Sequence, residues 1–407
     1  MNDEGNRMEH RTEHSGPLAG IRILDLSIAL TGPYAVALLA DQGADVIKVE
    51  RPGIGDIARW VGVSVNGMSA FYLACNRGKR CIAVDLGSDE GRDIVLELAR
   101  RADVVVQNFR PGVVDRLGIG YEAVAAINPD VVYCSISGYG SEGPYRDRSA
   151  YDTSIQAYAG FAANQAEPNG PPQFLHQNAA DKVSALYASQ AITAALFARA
   201  QGRGGQHIEL GMADACVSFL WAESAGNEVL LDSDRSMPSS FNAGFQPMRF
   251  VDGWGIVVPT TDADFAGMCR ALRVEGFDDP RIATVGERRK HRDVLEPVMD
   301  MCYAMAANLT QDEAIERFET ERVPFAMVLS AAEITDDPHA AAIGMFIDFD
   351  HPVAGRARLP RHPAMFAGTP AALSGPAPSV GEHTDEVLTE LGLGDRIVAL
   401  RQSGVLA

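Results

Sequence analysis

The sequence predicts an α/β fold in which a mainly parallel sheet is covered by helices on both faces. Between residues 21 and 137, short apolar runs alternate with amphipathic segments, which is typical of the strands and helices of parallel sheets. The apolar runs have no polar face, as expected of strands buried on both sides. The chain has 407 residues, 46% apolar and 22% charged, which predicts two or three domains and excludes fibrous and disordered classes.

The predicted strands and helices follow one another in regular order. The segments IRILDL, PYAVALLADQGA and DVIKVE form the first strand, helix and strand, with Pro33 in the first turn of the helix. Further strands are predicted at 81–86, 103–108, 131–137 and 207–210, and further helices at 89–102, near 121–127 and at 181–200. The last of these helices is the longest, and its many Ala and Ser residues allow close approach of neighbouring elements.

Changes in composition divide the chain into domains. After Trp221 the sequence becomes polar, and it then predicts a strand at 255–260 and amphipathic helices between 263 and 321. A proline-rich stretch at 352–380 is too interrupted for one element, and we expect it to return to the first domain. The predicted parts are a disordered tail at 1–16, the first part of a large domain at 17–222, a small domain at 223–330 and a C-terminal return at 331–407.

Net charge and targeting signals limit the binding partners and the location that we expect for the protein. The 54 acidic and 35 basic residues give a formal charge of −19, which repels nucleic acid and anionic lipid, so neither is an expected partner. No apolar segment reaches the 18 residues of a membrane span, and residues 1–16 lack the apolar core of a secretory signal. The six cysteines are scattered without a C-x-x-C pair, which predicts buried thiols in a reducing, cytoplasmic environment.

The common cofactor motifs are absent or occur in the wrong context. The segment from Gly138 to Gly143 matches G-x-G-x-x-G, but Pro144 and the residues after it predict a loop where a dinucleotide site needs a helix. Walker, G-x-S-x-G and H-E-x-x-H sequences do not occur, and the nine histidines are dispersed. We therefore expect no nicotinamide, flavin or metal cofactor.

Six short segments lie in an order that resembles one enzyme family. These segments are Gly32-Pro33, Val46-Ile-Lys-Val-Glu-Arg51-Pro-Gly, Asn76-Arg-Gly-Lys79-Arg80, Asn108-Phe109-Arg110-Pro111-Gly112, Ser137-Gly138-Tyr139-Gly140 and Gly381-Glu-His383-Thr-Asp385. Their order and spacing resemble the class III CoA-transferases, the family of formyl-CoA transferase and the carnitine and bile-acid-inducible CoA-transferases. The resemblance extends from about residue 18 to 395. It implies a Rossmann-like large domain made from both chain ends, a smaller α/β middle domain and an interlocked homodimer.

The resemblance also implies a catalytic residue. The family's nucleophile is an aspartate before a long alanine-rich helix, and the matching residue is Asp181 in Asn178-Ala-Ala-Asp181-Lys182. An aspartate can take an acyl group as a mixed anhydride and can then form a thioester with the released CoA. A position at a helix start should favour the ionised carboxylate. From the residues alone, a purely structural role as a helix cap stays open.

The substrate implied by the resemblance is coenzyme A, carried as acyl-CoA and exchanged with a small carboxylic acid. Its phosphate groups require local cations, for which Arg51, Lys79, Arg80 and Arg116 are candidates. The turn at Gly138 could supply backbone N–H groups to the oxyanions of the reaction. The predicted CoA-binding residues are Thr31, Arg51, Lys79, Asn108, Phe109, Arg116, Gly138 and Tyr139.

Some positions depart from the family pattern. Leu30 replaces a substrate-facing glutamine of formyl-CoA transferase and Ser137 replaces a lysine, so we expect an acyl group larger and less polar than oxalyl or formyl. A glycine-rich loop covers the site in the family, whereas residues 241–247 read FNAGFQP and leave the role of Gly244 in a lid open.

Two other functions remain as alternatives. A sister branch of the family racemises 2-methylacyl-CoA with a histidine, and the equivalent residue here is Tyr151, whose ordinary pKa near ten makes it a poor base at neutral pH. In a transferase, Tyr151 and Asp152 could serve packing alone. The other alternative is a protein that binds CoA without turnover.

Overall fold

The protein folds into two compact units. The structure, a computed structural model, describes residues 15–167, 170–232 and 245–407. The larger unit combines the described residues up to Ala225 with residues Gly344–Ala407, and the smaller unit comprises the described residues between Gly226 and Ile343. The smaller unit ends later than residue 330 because two short helices precede Ile343. Residues 1–14 of the predicted tail and 241–244 of the predicted lid lie outside the described residues.

The first segment of the larger unit alternates strands and helices. Its strands are β1 Arg22–Asp25, β2 Asp45–Glu50, β3 Ser64–Val65, β4 Met68–Ser69, β5 Lys79–Ala83, β6 Val104–Gln107, β7 Val132–Ser137 and β8 Gln206–Gly211. Its α-helices are α1 Thr31–Ala40, α2 Ala70–Asn76, α3 Asp89–Arg101, α4 Val113–Arg116, α5 Tyr121–Ala125, α6 Asp152–Ala159, α7 Phe161–Asn164, α8 Ala179–Ala198 and α9 Met212–Ser224.

Six of these strands form the central sheet, in the order β5-β2-β1-β6-β7-β8. Each neighbouring pair is parallel, which confirms the predicted sheet. One face is covered by α1, α6, α8 and α9, and α3 and α5 pack on the other. All four residues of β6 are buried, which explains why the strand sequences lack a polar face.

Small residues let the longest helix pack closely. The buried positions of α8 include Ala180, Ser184, Ala185 and Ala188, and the helix lies against α1 and α9. Short side chains at these positions bring the backbones of the helices together. The start of α8 is thereby held beside the start of α1.

The smaller unit has its own sheet and core. Among its described residues, three strands form an antiparallel sheet in the order β11-β10-β9, and buried Phe250, Met268 and Phe318 lie in its core. The elements are α10 Gly226–Val229, β9 Met248–Arg249, β10 Trp254–Val257, α11 Asp262–Ala271, α12 Val285–Lys290, α13 Arg292–Ala306, α14 Gln311–Glu321, β11 Phe325–Met327, α15 Ala331–Thr335 and α16 Pro338–Ala342.

The last segment of the chain returns to the larger unit. It contains the hairpin β12 Phe346–His351 and β13 Gly355–Pro360, and the helices α17 Thr384–Glu390 and α18 Ile397–Gln402. Between the hairpin and α17 the chain lies along the larger unit, where the Ala372 N–H donates to the carbonyl of Asp41 at 2.9 Å. Val387 of α17 and Leu400 of α18 are buried in the same core as α3, so the C-terminal segment completes one face of the sheet.

Two predictions concern membrane-spanning helices and disulfide bonds. Within 15–167, 170–232 and 245–407, no helix combines the length and apolarity needed to cross a bilayer. The six cysteines are all buried and free of disulfides, as predicted.

Candidate active site

The candidate site lies at the carboxyl edge of the central sheet. From β1 the chain continues to β2 on one side of the sheet, and from β6 it continues to β7 on the other, so the connections diverge between β1 and β6. In open parallel sheets this switch point forms a crevice in which ligands bind. Residues 26–31 after β1 and residues 108–112 after β6 form its two sides.

Side chains from other loops hold the loop after β1 in place. Asn108 accepts from the Ile28 N–H and donates to the Ile28 carbonyl, both at 2.8 Å. Asp56 accepts from the N–H of Ala29, which has a left-handed φ of 65°. Buried Lys48 donates to the Ser27 carbonyl at 2.7 Å. Because its backbone groups are paired in this way, the loop holds the start of α1 firmly.

The start of α1 contacts the start of α8. Thr31, the first residue of α1, is buried and donates its hydroxyl to an oxygen of the Asp181 carboxylate. Asp181 is the third residue of α8 and lies in its first turn, where the helix dipole favours a negative charge. The structure therefore brings together Thr31 and Asp181, which are 150 residues apart in the sequence.

The environment of Asp181 changes its acidity. Burial raises the pKa of Asp181 to about 6, the Thr31 hydrogen bond opposes this rise, and the negative charge of Asp152 adds to it. The sequence predicts that the helix start favours the ionised form, but the net shift of the Asp181 pKa is upward because burial is its largest cause. A carboxyl group with this pKa is still about 90% ionised at pH 7 and is more basic than an exposed aspartate.

Asp152 is a neighbour of Asp181 that the sequence did not reveal. It is buried at the start of α6, and its Oδ2 accepts from the Asp181 N–H at 2.9 Å. Tyr151, by contrast, exposes 79% of its surface. The adjacent residues thus have different environments, and only a tertiary contact shows which of them faces Asp181.

Gly138 and Tyr139 lie directly after β7, as predicted. A Cβ on Gly138 would lie 2.2 Å from the Cβ of Ala150, so glycine is required for the close approach of these two segments. Tyr139 is half-buried in an aromatic cluster with Tyr145 and Tyr158, at ring distances of 5.8 and 5.3 Å. The chain from Gly138 forms turns and no helix before α6, which agrees with the rejection of a dinucleotide motif.

Several of the predicted CoA-binding side chains have exposed or partly exposed surfaces. Arg51 and Arg116 are exposed, and Phe109 is half-buried against the core beside α3. Phe109 lines a cavity of about 210 Å³ at the ends of β6 and β7, together with Ser137, Arg110 and Arg146. These two additional arginines were not predicted.

The structure does not support Lys79 as a phosphate ligand. The Lys79 ammonium group is fully buried and donates to Asp25 at 2.8 Å, to the Pro33 carbonyl at 2.9 Å and to Asn76 at 3.0 Å. Its three protons are therefore all used within the protein. Lys79 supports the first turn of α1 and leaves no proton for a ligand.

Two further candidates have other partners. Arg80 pairs with Asp45, Glu386 and Glu390, and its position in β5 is in register with Ile47 of β2. The Asn108 amide is used in its two hydrogen bonds to Ile28. The sequence could not show these partners, since neither residue is close to them along the chain.

The two positions that depart from the family pattern lie at the carboxyl edge of the sheet. Leu30 is buried directly before Thr31, and Ser137 is half-buried at the end of β7. Across the part of the chain that the structure describes, no group of three His, Cys, Asp or Glu residues is arranged to hold a metal ion.

Comparison with known proteins identifies the family. The model of CoA-transferase family III matches residues 18–384. The chain belongs to this family. It is 34% identical over 386 residues to the succinate–glutarate CoA-transferase of Agrobacterium fabrum, covering 92% of this chain and 96% of the relative. It is 31% identical to the human succinyl-CoA:glutarate CoA-transferase, covering 96% of this chain and 90% of the relative.

Solved structures agree with this assignment to the class III CoA-transferases. The crystal structure of a CaiB/BaiF family protein from Brucella suis superposes with a TM-score of 0.80 at 32% identity, covering 93% of this chain and all of the other. The resemblance predicted from six short segments is thereby confirmed, and the chain is a class III CoA-transferase. The relatives described above are named as transferases, not as racemases.

Proposed function

We propose that this class III CoA-transferase moves CoA from an acyl-CoA donor to a free carboxylic acid through covalent intermediates on Asp181. The observation that carries the proposal is the Asp181 carboxylate itself, which is largely buried, hydrogen-bonded by Thr31 and raised in pKa to about 6. Such a group is charged at neutral pH and yet basic enough to attack a thioester.

In the first half of the reaction, an oxygen of Asp181 attacks the carbonyl carbon of the donor thioester. The carbon–sulfur bond breaks, CoA leaves as a thiolate, and the donor acyl group forms a mixed anhydride with Asp181. The thiolate then attacks the side-chain carbonyl carbon of Asp181. The donor acid leaves as a carboxylate, and the enzyme holds CoA as an aspartyl thioester.

In the second half, the acceptor carboxylate attacks the aspartyl thioester and releases the CoA thiolate again. The thiolate attacks the acyl carbon of the acceptor in the new anhydride, which forms the product acyl-CoA and restores Asp181. Each addition places negative charge on a carbonyl oxygen, and backbone N–H groups after Gly138 are suitable donors to it. No net proton or electron enters or leaves.

We assign CoA binding to two exposed arginines and two half-buried aromatic rings near the crevice. Arg51 and Arg116 are free to meet phosphate groups, and Phe109 and Tyr139 offer apolar surface to the rest of CoA. We expect Arg51→Ala to weaken CoA binding about tenfold, measured by calorimetry, because one charged contact to phosphate is lost. Arg356→Ala, which removes a charge with 84% side-chain exposure on β13, is the control. Equal affinities of the two variants would exclude Arg51 from the contacts.

The acids exchanged are proposed from relatives and from Leu30. The names of the two relatives give succinate or succinyl-CoA and glutarate, and buried Leu30, directly before Thr31, stands where formyl-CoA transferase has a glutamine. We expect a four- to six-carbon acyl group to be a better substrate than oxalyl or formyl. The screen offers succinyl-, acetyl- and butyryl-CoA with a panel of free acids, and mass spectrometry follows every acyl-CoA formed.

A trapping experiment tests the covalent mechanism. Incubation with acyl-CoA followed by hydroxylamine or borohydride should modify the peptide that contains Asp181. Absence of any modified peptide with every productive donor would contradict the mechanism. Binding of CoA without exchange for any acid would instead leave a CoA-binding protein, and racemisation without a second acid would indicate a racemase.

We also propose that the enzyme is an interlocked, cytoplasmic homodimer. Large apolar side chains of α8 and α9 remain exposed in the single chain, including Leu186 at 55%, Phe197 at 67% and Phe219 at 53%. Such patches are typical of surfaces that a partner covers. Sedimentation analysis is expected to give twice the chain mass of 43.6 kDa, and a concentration-independent monomer would contradict the dimer.

A further inference from the structure

The first two turns of α6 form a clamp on the start of α8, and the clamp consists of Asp152 and Gln156. Both side chains are buried, and a hydrogen bond joins the amide of Gln156 to Oδ1 of Asp152. The other oxygen of Asp152 accepts from the Asp181 N–H at 2.9 Å. One carboxylate therefore links α6 to the backbone of the proposed nucleophile.

Gln156 holds the chain that leads into α8. Its Oε1 accepts from the Leu175 N–H at 3.0 Å, and its Nε2 donates to the carbonyl groups of Leu175 and Gln177, at 3.3 and 3.1 Å. Together, Asp152 and Gln156 hold the backbone before α8 and its third residue. The direction of the Asp181 side chain follows from that backbone.

A carboxylate is an unusual choice for a purely structural clamp. Burying a charged group without a cationic partner costs several kcal/mol, whereas a neutral oxygen could accept the same N–H. The hydrogen bonds of Asp152 come from Gln156 and Asp181, neither of which carries a positive charge. Asp152 is the first residue of α6, so the helix dipole offsets part of this cost, and the same carboxylate lies against the backbone of Asp181.

We propose that Asp152, supported by Gln156, is a positioning residue that directs the Asp181 carboxylate toward the substrate and, through its charge, makes that carboxylate a stronger nucleophile. This inference rests on the proposed function of Asp181. It gives α6 a role in the reaction that is separate from nucleophilic attack and from CoA binding.

The charges around Asp181 predict the sign of the effect. From α6, Asp152 raises the pKa of Asp181, and from α8 itself Lys182 lowers it. From α1, the uncharged Thr31 hydroxyl lowers it by hydrogen bonding. From α9, Cys216 remains a neutral thiol in the acidic range, because burial raises its pKa to about 11. Removal of the Asp152 charge should thus lower the pKa of Asp181, and removal of the Thr31 hydroxyl should raise it.

The test compares the pH dependence of kcat/KM in three variants whose fold is checked by circular dichroism. The parent enzyme should lose activity as the pH falls through about 6, as Asp181 becomes protonated. In Asp152→Asn this acidic limb of the pH profile should move to lower pH, with a lower kcat at pH 8. In Thr31→Val it should move to higher pH. In Gln156→Leu, which loosens the clamp without changing its charge, kcat should fall and the limb should stay in place.

Two outcomes for Asp152→Asn count against the inference. If Asp152→Asn keeps the parent pH profile and kcat, the inference is overturned. If kcat of Asp152→Asn falls while the acidic limb of the pH profile stays in place, the charge of Asp152 has no role. The part of the proposal that concerns this charge is then wrong. If Asp152→Asn does not fold, Asp152→Ser, which keeps an oxygen acceptor, is used with the same criteria. Retained activity in Asp181→Asn would instead overturn the proposed function, independently of Asp152.

Discussion

Replacing Asp181 by Asn is expected to lower kcat for CoA transfer by about three orders of magnitude or more. The amide keeps the size of the side chain and can still accept the Thr31 hydrogen bond, but its oxygen does not form an anhydride. Steady-state transfer and single-turnover trapping measure the loss. CoA affinity should change little, because the exposed arginines proposed to bind CoA are intact.

The matched control for Asp181 is its neighbour. Lys182 is exposed beside it in the same helical turn, so Lys182→Ala tests whether any change at this helix start disturbs the site. Because Lys182 lowers the pKa of Asp181, the comparison is made at pH 8, where we expect Lys182→Ala to keep activity within a few-fold of the parent. Transfer by Asp181→Asn at more than a few per cent of the parent rate would remove the covalent mechanism.

Replacing Lys79 by Met is expected to destabilise the larger unit by about 3–5 kcal/mol while leaving the intrinsic CoA contacts in place. Both partners of the Lys79–Asp25 ion pair have no exposed side-chain surface. Loss of the ammonium group leaves Asp25 buried with one close cation fewer, and the Pro33 carbonyl loses a donor. Urea unfolding followed by circular dichroism measures the change.

Two further variants give this stability prediction its controls. Arg92 forms an exposed ion pair with Asp89 at 2.7 Å, and Arg92→Ala should leave the unfolding midpoint nearly unchanged. Combining Lys79→Met with Asp25→Asn removes both buried charges and should recover part of the loss. If Lys79→Met is as stable as the parent but binds CoA more weakly, the result would show that Lys79 contacts CoA.

The fold was predictable because it depends on a local pattern. Apolar strands that alternate with helices specify a parallel sheet, and the observed bounds of β2 match the predicted segment at both ends. The early prediction of α8 as a long helix had the same basis, although the helix begins at Ala179 and places Asp181 in its third position.

The parts that were not predictable depend on direction and burial. Lys79 and Arg80 are adjacent basic residues in the sequence, but neighbours in a strand point to opposite faces, and only Lys79 enters the interior. The importance of Asp152 depends on its hydrogen bond from the N–H of Asp181, which is 29 residues away in the sequence. The rise in the pKa of Asp181 follows from burial, which no pattern of residue types specifies.

The division of the larger unit between two stretches of sequence affects how the protein is made. A ribosome that has completed residue 343 has already delivered the whole smaller unit, whose core residues all come from one continuous stretch. The sheet of the larger unit must wait for α17 and α18, whose Val387 and Leu400 cover one of its faces. One face of the sheet therefore lacks part of its cover until α17 and α18 are made, and we expect folding of the larger unit to be completed only after them.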